Sequence, residues 1–346
     1  MTDSVSPLEA LVTGRLRRIR RLRSVILSLL AAVTAFFALT LMLGQSFTPP
    51  GDVLQVLLGQ DVPGASFTVG QLRLPRAVIS VLAGISFGLG GVAFQILLRN
   101  PLASPDIIGV SAGASAAAVF GIVFLSLDGA AVSGLAIIAG LGVALLIYVL
   151  SFKGGVSGSR LILIGIGVSA MIDSFIAYAL ARAPSWDLQE AMRWLSGSVN
   201  GARLEQAAPL LISLLVFGGL LLGRRRDLEA LRMGDDLAAA LGVRVGLTRL
   251  LVIFSAVGMI AVATATTGPI AFVAFLSGPI AARIVGPNGS ILLPSALVGA
   301  SLVLIGDYMG QFVLSSRYPV GVVTGALGAP FLIYLIIRAN RTGSSL

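Results

Sequence analysis

Apolar runs close to twenty residues long recur from Val25 to the neighbourhood of Arg338, and this repetition constrains the fold more than any other feature. A run of that length matches the hydrocarbon thickness of a bilayer. Ten are readable, at about 25–43, 76–98, 107–126, 130–150, 161–181, 206–222, 248–265, 269–286, 291–306 and 319–338. Hydrophobic residues make up 56% of the 346 and charged residues only 11%, more apolar surface than a soluble domain buries. The expected fold class is an all-α polytopic membrane protein, with one integral domain over 25–338. The first run is long for a signal-peptide core and no small-residue cleavage site follows it, so it reads as a retained helix.

The net charge of +9 raises the question of nucleic acid, and the placement of the charge answers it. Arg15, Arg17, Arg18, Arg20, Arg21 and Arg23 abut the first apolar run, and Arg224, Arg225 and Arg226 follow a later one. Clusters at membrane boundaries fix orientation, and their expected partner is the lipid bilayer. With the N-terminus inside, 18 of the 24 basic residues fall on inner segments or inner helix ends. That arrangement makes residues 1–24 a basic cytoplasmic arm and 339–346 a cytoplasmic tail.

The chain has no cysteine and no histidine. Disulfides, Cys/His zinc sites and every triad with an imidazole base are excluded. Gly109-Val110-Ser111-Ala112-Gly113 matches a nucleophile-elbow pattern, but it opens a membrane helix in a chain without a histidine. Gly165–Ala170 mimics a dinucleotide fingerprint inside an apolar span, where the pattern carries no weight. Phe152 precedes Lys153, the single lysine, so no Walker A motif exists. No catalytic residue, metal ligand or cofactor site is expected, and any ATP that drives the protein is hydrolysed on another polypeptide. Asp173 and Asp307 fall within or at the edge of spans. Intramembrane carboxyls raise the alternative of an ion-coupled secondary transporter.

Four local features carry more information. The stretch Asn100-Pro101-Leu102-Ala103-Ser104-Pro105-Asp106-Ile107-Ile108-Gly109 demands a tight, specified turn between two apolar helices, because Pro101 and Pro105 resist helix continuation. Residues 182–205, with Trp186, Trp194 and mixed charges, read as an external amphipathic helix on the membrane surface. Residues 223–247 hold Gly234-Asp235-Asp236-Leu237-Ala238-Ala239-Ala240-Leu241-Gly242, with a carboxyl at the helix start and a terminal glycine. This stretch reads either as a short cytoplasmic docking helix or as a solvated connector. Arg73, Arg76 and Arg317 are scarce outer cations, which either snorkel to headgroups or contact an acidic external partner.

Three blocks together resemble the FecCD-type permeases of binding-protein-dependent ABC importers, the family that includes the vitamin B12 importer permease. The first runs from Arg73-Leu74-Pro75-Arg76 through Gly91 and Gln95 to Arg99–Asp106 and Gly109–Ser115. The second is Gly234–Val243, and the third is Tyr318-Pro319-Val320-Gly321 through Pro330. The resemblance implies a type II importer fold of ten helices per subunit in the bacterial plasma membrane. It also implies a second permease subunit, homo- or heterodimeric, two ATP-binding cassette subunits, and a substrate-binding lipoprotein or periplasmic protein. The implied substrates are iron–siderophores, with haem or cobalamin as alternatives. On the matching positions, Gly234, Asp235, Asp236, Ala238, Leu241 and Gly242 would couple to the ATPase. Arg73 and Arg76, with Arg317 added, would dock the binding protein, and Asn100, Pro101 and Pro105 would form the structural turn. Two positions depart from the family pattern: Ile280 follows Pro279 where a histidine is usual, and Arg317 stands where many members carry glutamate.

Overall fold

The computed structural model describes residues 7–152, 158–286 and 289–341. Lys153, Pro287, the first six residues of the arm and the tail from residue 342 lie outside the described residues. In chain order the helices are α1 (Pro7–Met42), α2 (Pro50–Leu57), α3 (Leu74–Leu97), α4 (Val110–Leu125), α5 (Gly129–Ser151), α6 (Gly158–Arg182), α7 (Ser185–Leu195) and α8 (Ala207–Ser213). They continue with α9 (Gly219–Gly223), α10 (Arg225–Leu231), α11 (Asp235–Ala240), α12 (Val245–Thr267), α13 (Val273–Val285), α14 (Leu292–Tyr308) and α15 (Val320–Arg341). Turns of π-helix precede α3 over Ser66–Arg73, join α8 to α9 over Leu214–Gly218, and extend α14 over Met309–Val313.

Among the described residues, seven helical stretches are long and apolar enough to cross a membrane. Three shorter apolar helices, Val110–Leu125, Val273–Val285 and Val320–Leu335, complete the expected ten. One boundary differs. From Pro7 onward the basic arm is not separate from the first span: it forms the opening turns of α1, with Pro7 at the helix start and leucine and arginine, both good helix formers, behind it.

Helix α3 is the centre of the bundle, packed on α12, α13 and α14. Its seam is glycine: Gly84, Gly88 and Gly91 lie on one face. A Cβ at Gly84 would meet the Gly299 carbonyl of α14, one at Gly88 the Ser295 carbonyl, and one at Gly91 the Ala274 carbonyl of α13. In hydrocarbon there is no water to drive helices together, so close backbone approach through small residues supplies the attraction instead.

The proline inside α13 shows the same accounting for polar groups. Pro279 has no N–H, which leaves the Phe275 carbonyl, four residues earlier, without its helical donor. The buried Gln95 of α3 supplies it, donating from Nε2 at 2.9 Å. Its amide fits because residue 278 is glycine, whose missing Cβ is the space that Oε1 occupies. Half-buried Ile280 lies just beyond, so the polar role beside this proline belongs to Gln95.

The turn after α3 takes the form its residues specify. Arg99 ends the helix at φ 50°, and Asn100 Oδ1 accepts from the Leu102 N–H at 2.8 Å. Pro105 opens a single 3₁₀ turn, Ser111 Oγ donates to Asp106 Oδ1 at 2.6 Å, and Gly109 enters α4 at φ 69°. At the far end of the bundle Gly321 fits against the Ser196 carbonyl and donates its N–H to the Gly197 carbonyl at 3.0 Å.

Replacing Gln95 by leucine is expected to cost about 1–3 kcal/mol, because the Phe275 carbonyl is left buried and unpaired. Thermal unfolding of the detergent-solubilised chain measures it, and an unchanged midpoint would show that the Gln95 bond holds nothing.

Candidate functional site

Two ends of the bundle concentrate the polar chemistry. The first is the end where α3 finishes and α12 begins. There α11 is built as its sequence requires, although it is only six residues long. Gly234, at φ 119°, turns the chain into the helix, and Gly242 leaves it at φ 86°. The exit is a Schellman motif: the Val243 N–H reaches the Ala238 carbonyl at 3.0 Å and the Gly242 N–H reaches Ala239 at 2.9 Å. Leu228 and Leu231 of α10 and Ala238 of α11 are buried, so 223–247 is a packed substructure and not a solvated connector.

Asp235 holds this substructure to the membrane domain. Arg249, in the second turn of α12, donates to both its oxygens at 2.9 and 2.7 Å. Arg99, at the end of α3, also pairs with Asp235, and its Nε donates to the Leu231 carbonyl at 3.1 Å. One carboxyl therefore ties α11 to two membrane helices. Of the positions expected to couple to an ATPase, Asp235 pairs with Arg99 and Arg249, and Ala238, at 0% exposure, is an inward anchor. The outward residues are Met233, Leu237 and Leu241, all more than half exposed and spaced four apart, with Asp236 exposed beside them. Such a row is an apolar face on one side of a helical segment.

At the opposite end, Arg76 and Asp307 form a two-pronged pair between α3 and α14, Nε to Oδ2 and Nη2 to Oδ1, both at 2.5 Å. Arg76 Nη1 also donates to Asn200 Oδ1 at 3.3 Å. Arg73 is buried and spends its guanidinium on the loop after α1: Nη1 donates to the Leu41 carbonyl at 2.9 Å and Nη2 to the Ser46 carbonyl at 2.7 Å. The two arginines expected to reach outward are thus turned inward, for the plain reason that buried charge requires a partner. Asp307 is correspondingly buried. A cavity of about 590 Å³ opens over this pair, and its rim carries exposed Arg203 and Arg317. Neither of these guanidiniums has an ion pair among the described residues.

Arg203, Arg249, Met233 and Leu237 were missed as site residues from sequence. The four-residue spacing of Met233, Leu237 and Leu241 was the available signal for two of them. Nothing local marks Arg249 or Arg203. Of the two intramembrane carboxyls, Asp173 is far from Asp307 in sequence, on α6, and exposed, while Asp307 is committed to Arg76.

The sequence signature of the FecCD transport family matches residues 30–338. The chain belongs to that family. It is 38% identical over 294 residues to the ferric enterobactin permease FepG of Escherichia coli, covering 84% of this chain and 88% of that protein. It is 37% identical to the achromobactin permease CbrC of Dickeya dadantii, covering 90% of each chain. The iron(3+)-hydroxamate permease FhuG of Bacillus subtilis is 36% identical over 89% of this chain and 95% of its own length. In three dimensions the chain is similar to an inward-facing metal-chelate type ABC transporter, with a TM-score of 0.82, 26% identity, and coverage of 91% of this chain and 99% of that one. A FecCD chain is a transport permease.

The Arg76–Asp307 pair gives a charge-exchange prediction. Arg76→Asp and Asp307→Arg each leave a buried charge unpaired and are expected to cost about 3–5 kcal/mol, while the double exchange recovers part of the loss. Thermal unfolding of the four proteins decides it, and equal melting of single and double variants would remove the pair from the account.

Proposed function

We propose that this chain is the membrane-spanning subunit of an ABC importer for ferric–siderophore complexes. In this reading it lies in the bacterial plasma membrane with both termini in the cytoplasm. It pairs with a second permease subunit around a central pathway, receives substrate from a substrate-binding lipoprotein or periplasmic protein, and is driven by two ATP-binding cassette subunits that hydrolyse the ATP. The single observation that carries the reading is the exposed row Met233, Leu237 and Leu241 on a short helix clamped to α3 and α12 through Asp235. An apolar row outside the bilayer, on a rigidly held element, is what a partner's groove takes up.

The coupling set proposed is therefore Met233, Asp236, Leu237 and Leu241 as contacts, with Gly234 and Gly242 shaping the helix and Asp235 relaying its displacement. At the outer end, Arg317 and Arg203 take over the docking role expected of Arg73 and Arg76, because they are the cations left free at the cavity rim. The iron–siderophore reading draws on the enterobactin, achromobactin and hydroxamate permeases named above. A cobalamin permease of Halobacterium salinarum, 32% identical over 79% of this chain and 74% of that protein, keeps cobalamin as the alternative, and haem is the other.

Co-purification tests the coupling face. The wild-type chain, solubilised in detergent after expression with its ATPase, is expected to retain the ATPase. Leu241→Asp and Leu237→Asp each lose it, since a charge cannot enter an apolar groove without several kcal/mol of desolvation cost. Retention by both variants would overturn the assignment of α11. Uptake that survives ATP depletion and collapses with an ionophore would replace the importer by an ion-coupled carrier.

A further inference from the structure

Asp173 is the one charged group in the described spans whose place the fold does not explain. It lies nine residues before the end of α6, about 14 Å inside the bilayer-crossing helix at 1.5 Å per residue. A hydrocarbon core about 30 Å thick puts that position near its middle. The residue is exposed, and among the described residues no hydrogen bond or ion pair is recorded for it. On α6, Gly167, Ala170, Ser174 and Ala177 form an exposed small-residue strip beside it, Ile166 two turns earlier is exposed in line with it, and only 11% of the helix's apolar stretch is buried. Ser174 adds nothing, since its hydroxyl donates to the Ala170 carbonyl at 2.9 Å.

A carboxyl at mid-bilayer does not face lipid; it faces protein or a water-filled cavity. None of the described residues covers it. The other carboxyl of the spans, Asp307, shows how the fold treats one it needs to hide: burial and a two-pronged arginine. Asp173 receives neither.

We propose that Asp173 projects into the aqueous pathway between this subunit and its partner permease, and that it sets the charge of the substrate. It favours cationic or neutral ferric chelates and opposes polyanionic ones. The inference rests on the two-subunit importer reading above and extends it to a substrate class. The carboxyl supplies the charge felt at the low-dielectric midpoint of the passage. One unit of charge acting over roughly 8 Å in a half-aqueous passage changes relative occupancy about tenfold. Substrate charge is thus read twice, first by the binding protein and again in the membrane.

The chain's lack of cysteine makes Asp173→Cys the single thiol of this subunit, so labelling is read on this chain after the subunits are separated. In proteoliposomes holding the assembled importer, a cationic, water-soluble methanethiosulfonate should label Asp173→Cys and not Leu30→Cys on exposed α1. Uptake is then measured with one ferric trihydroxamate in three forms: free side amine, acetylated and succinylated. Each rate is divided by the occupancy of the binding protein, measured separately. Wild type should rank cationic above neutral above anionic. Asp173→Asn should shrink the cationic-to-anionic ratio about a hundredfold, tenfold for each of the two units of charge that separate those forms, and Asp173→Arg should invert the order. An unlabelled thiol, or a ratio the Asn variant leaves unchanged while all forms are still carried, overturns the role of Asp173 alone. A labelled thiol with no ATP-dependent uptake of any form overturns the importer reading beneath it.

Discussion

Everything in this subunit hangs on how closely α3 approaches its neighbours. Gly84, Gly88 and Gly91 let the backbones of α13 and α14 come to van der Waals contact, which is the attraction available between helices in hydrocarbon. The helix so held is a stiff rod running about 32 Å from Arg76 to Leu97. Arginines at or just past its two ends are tied across the bundle, Arg76 to Asp307 on α14 and Arg99 to Asp235 on α11. A displacement of α11 therefore reaches the core of the membrane domain through α3 and α12 with little slack. In a close-packed interior such a shift moves whole elements and not single side chains.

Three carboxyls illustrate three treatments of charge within one fold. Asp307 is buried and fully matched by one arginine, a structural use. Asp235 sits at a surface between two arginines, where it joins three elements without deep desolvation. Asp173 is left open at mid-bilayer, where an unmatched carboxyl is costly unless water reaches it. The bundle thus separates charge that holds it together from charge that meets the transported molecule.

Much of the architecture was legible in the sequence because its causes are local. Spans follow from hydropathy and length. The Asn100–Gly109 turn follows from Asn100, two prolines and Gly109, and the limits of α11 from Asp235 and Gly242. Partnerships were not legible. Arg76 and Asp307 are 231 residues apart, and Arg99 and Asp235 are 136 apart; no local pattern says which helix faces which. Arg73 and Arg76 looked like outer cations for the same reason: position along the chain gave the end of the bundle but not the direction of the side chain. Gln95 could be seen as a polar residue in an apolar span, yet its task depended on Pro279 of another helix. Ala238 lay inside a coupling motif, and only the packing of α11 against the bundle distinguishes its buried side from the row Met233, Leu237 and Leu241.

The relay through Asp235 is the central claim, and transport per ATP hydrolysed in the assembled importer tests it most directly. With Asp235→Asn the outward row of α11 is untouched, so the ATPases stay bound and ATP hydrolysis continues. The account predicts that substrate moved per ATP falls about tenfold, as expected when charge-assisted bonds to Arg99 and Arg249 are lost. Wild-type transport per ATP in that variant, with both ATPases bound, would contradict it.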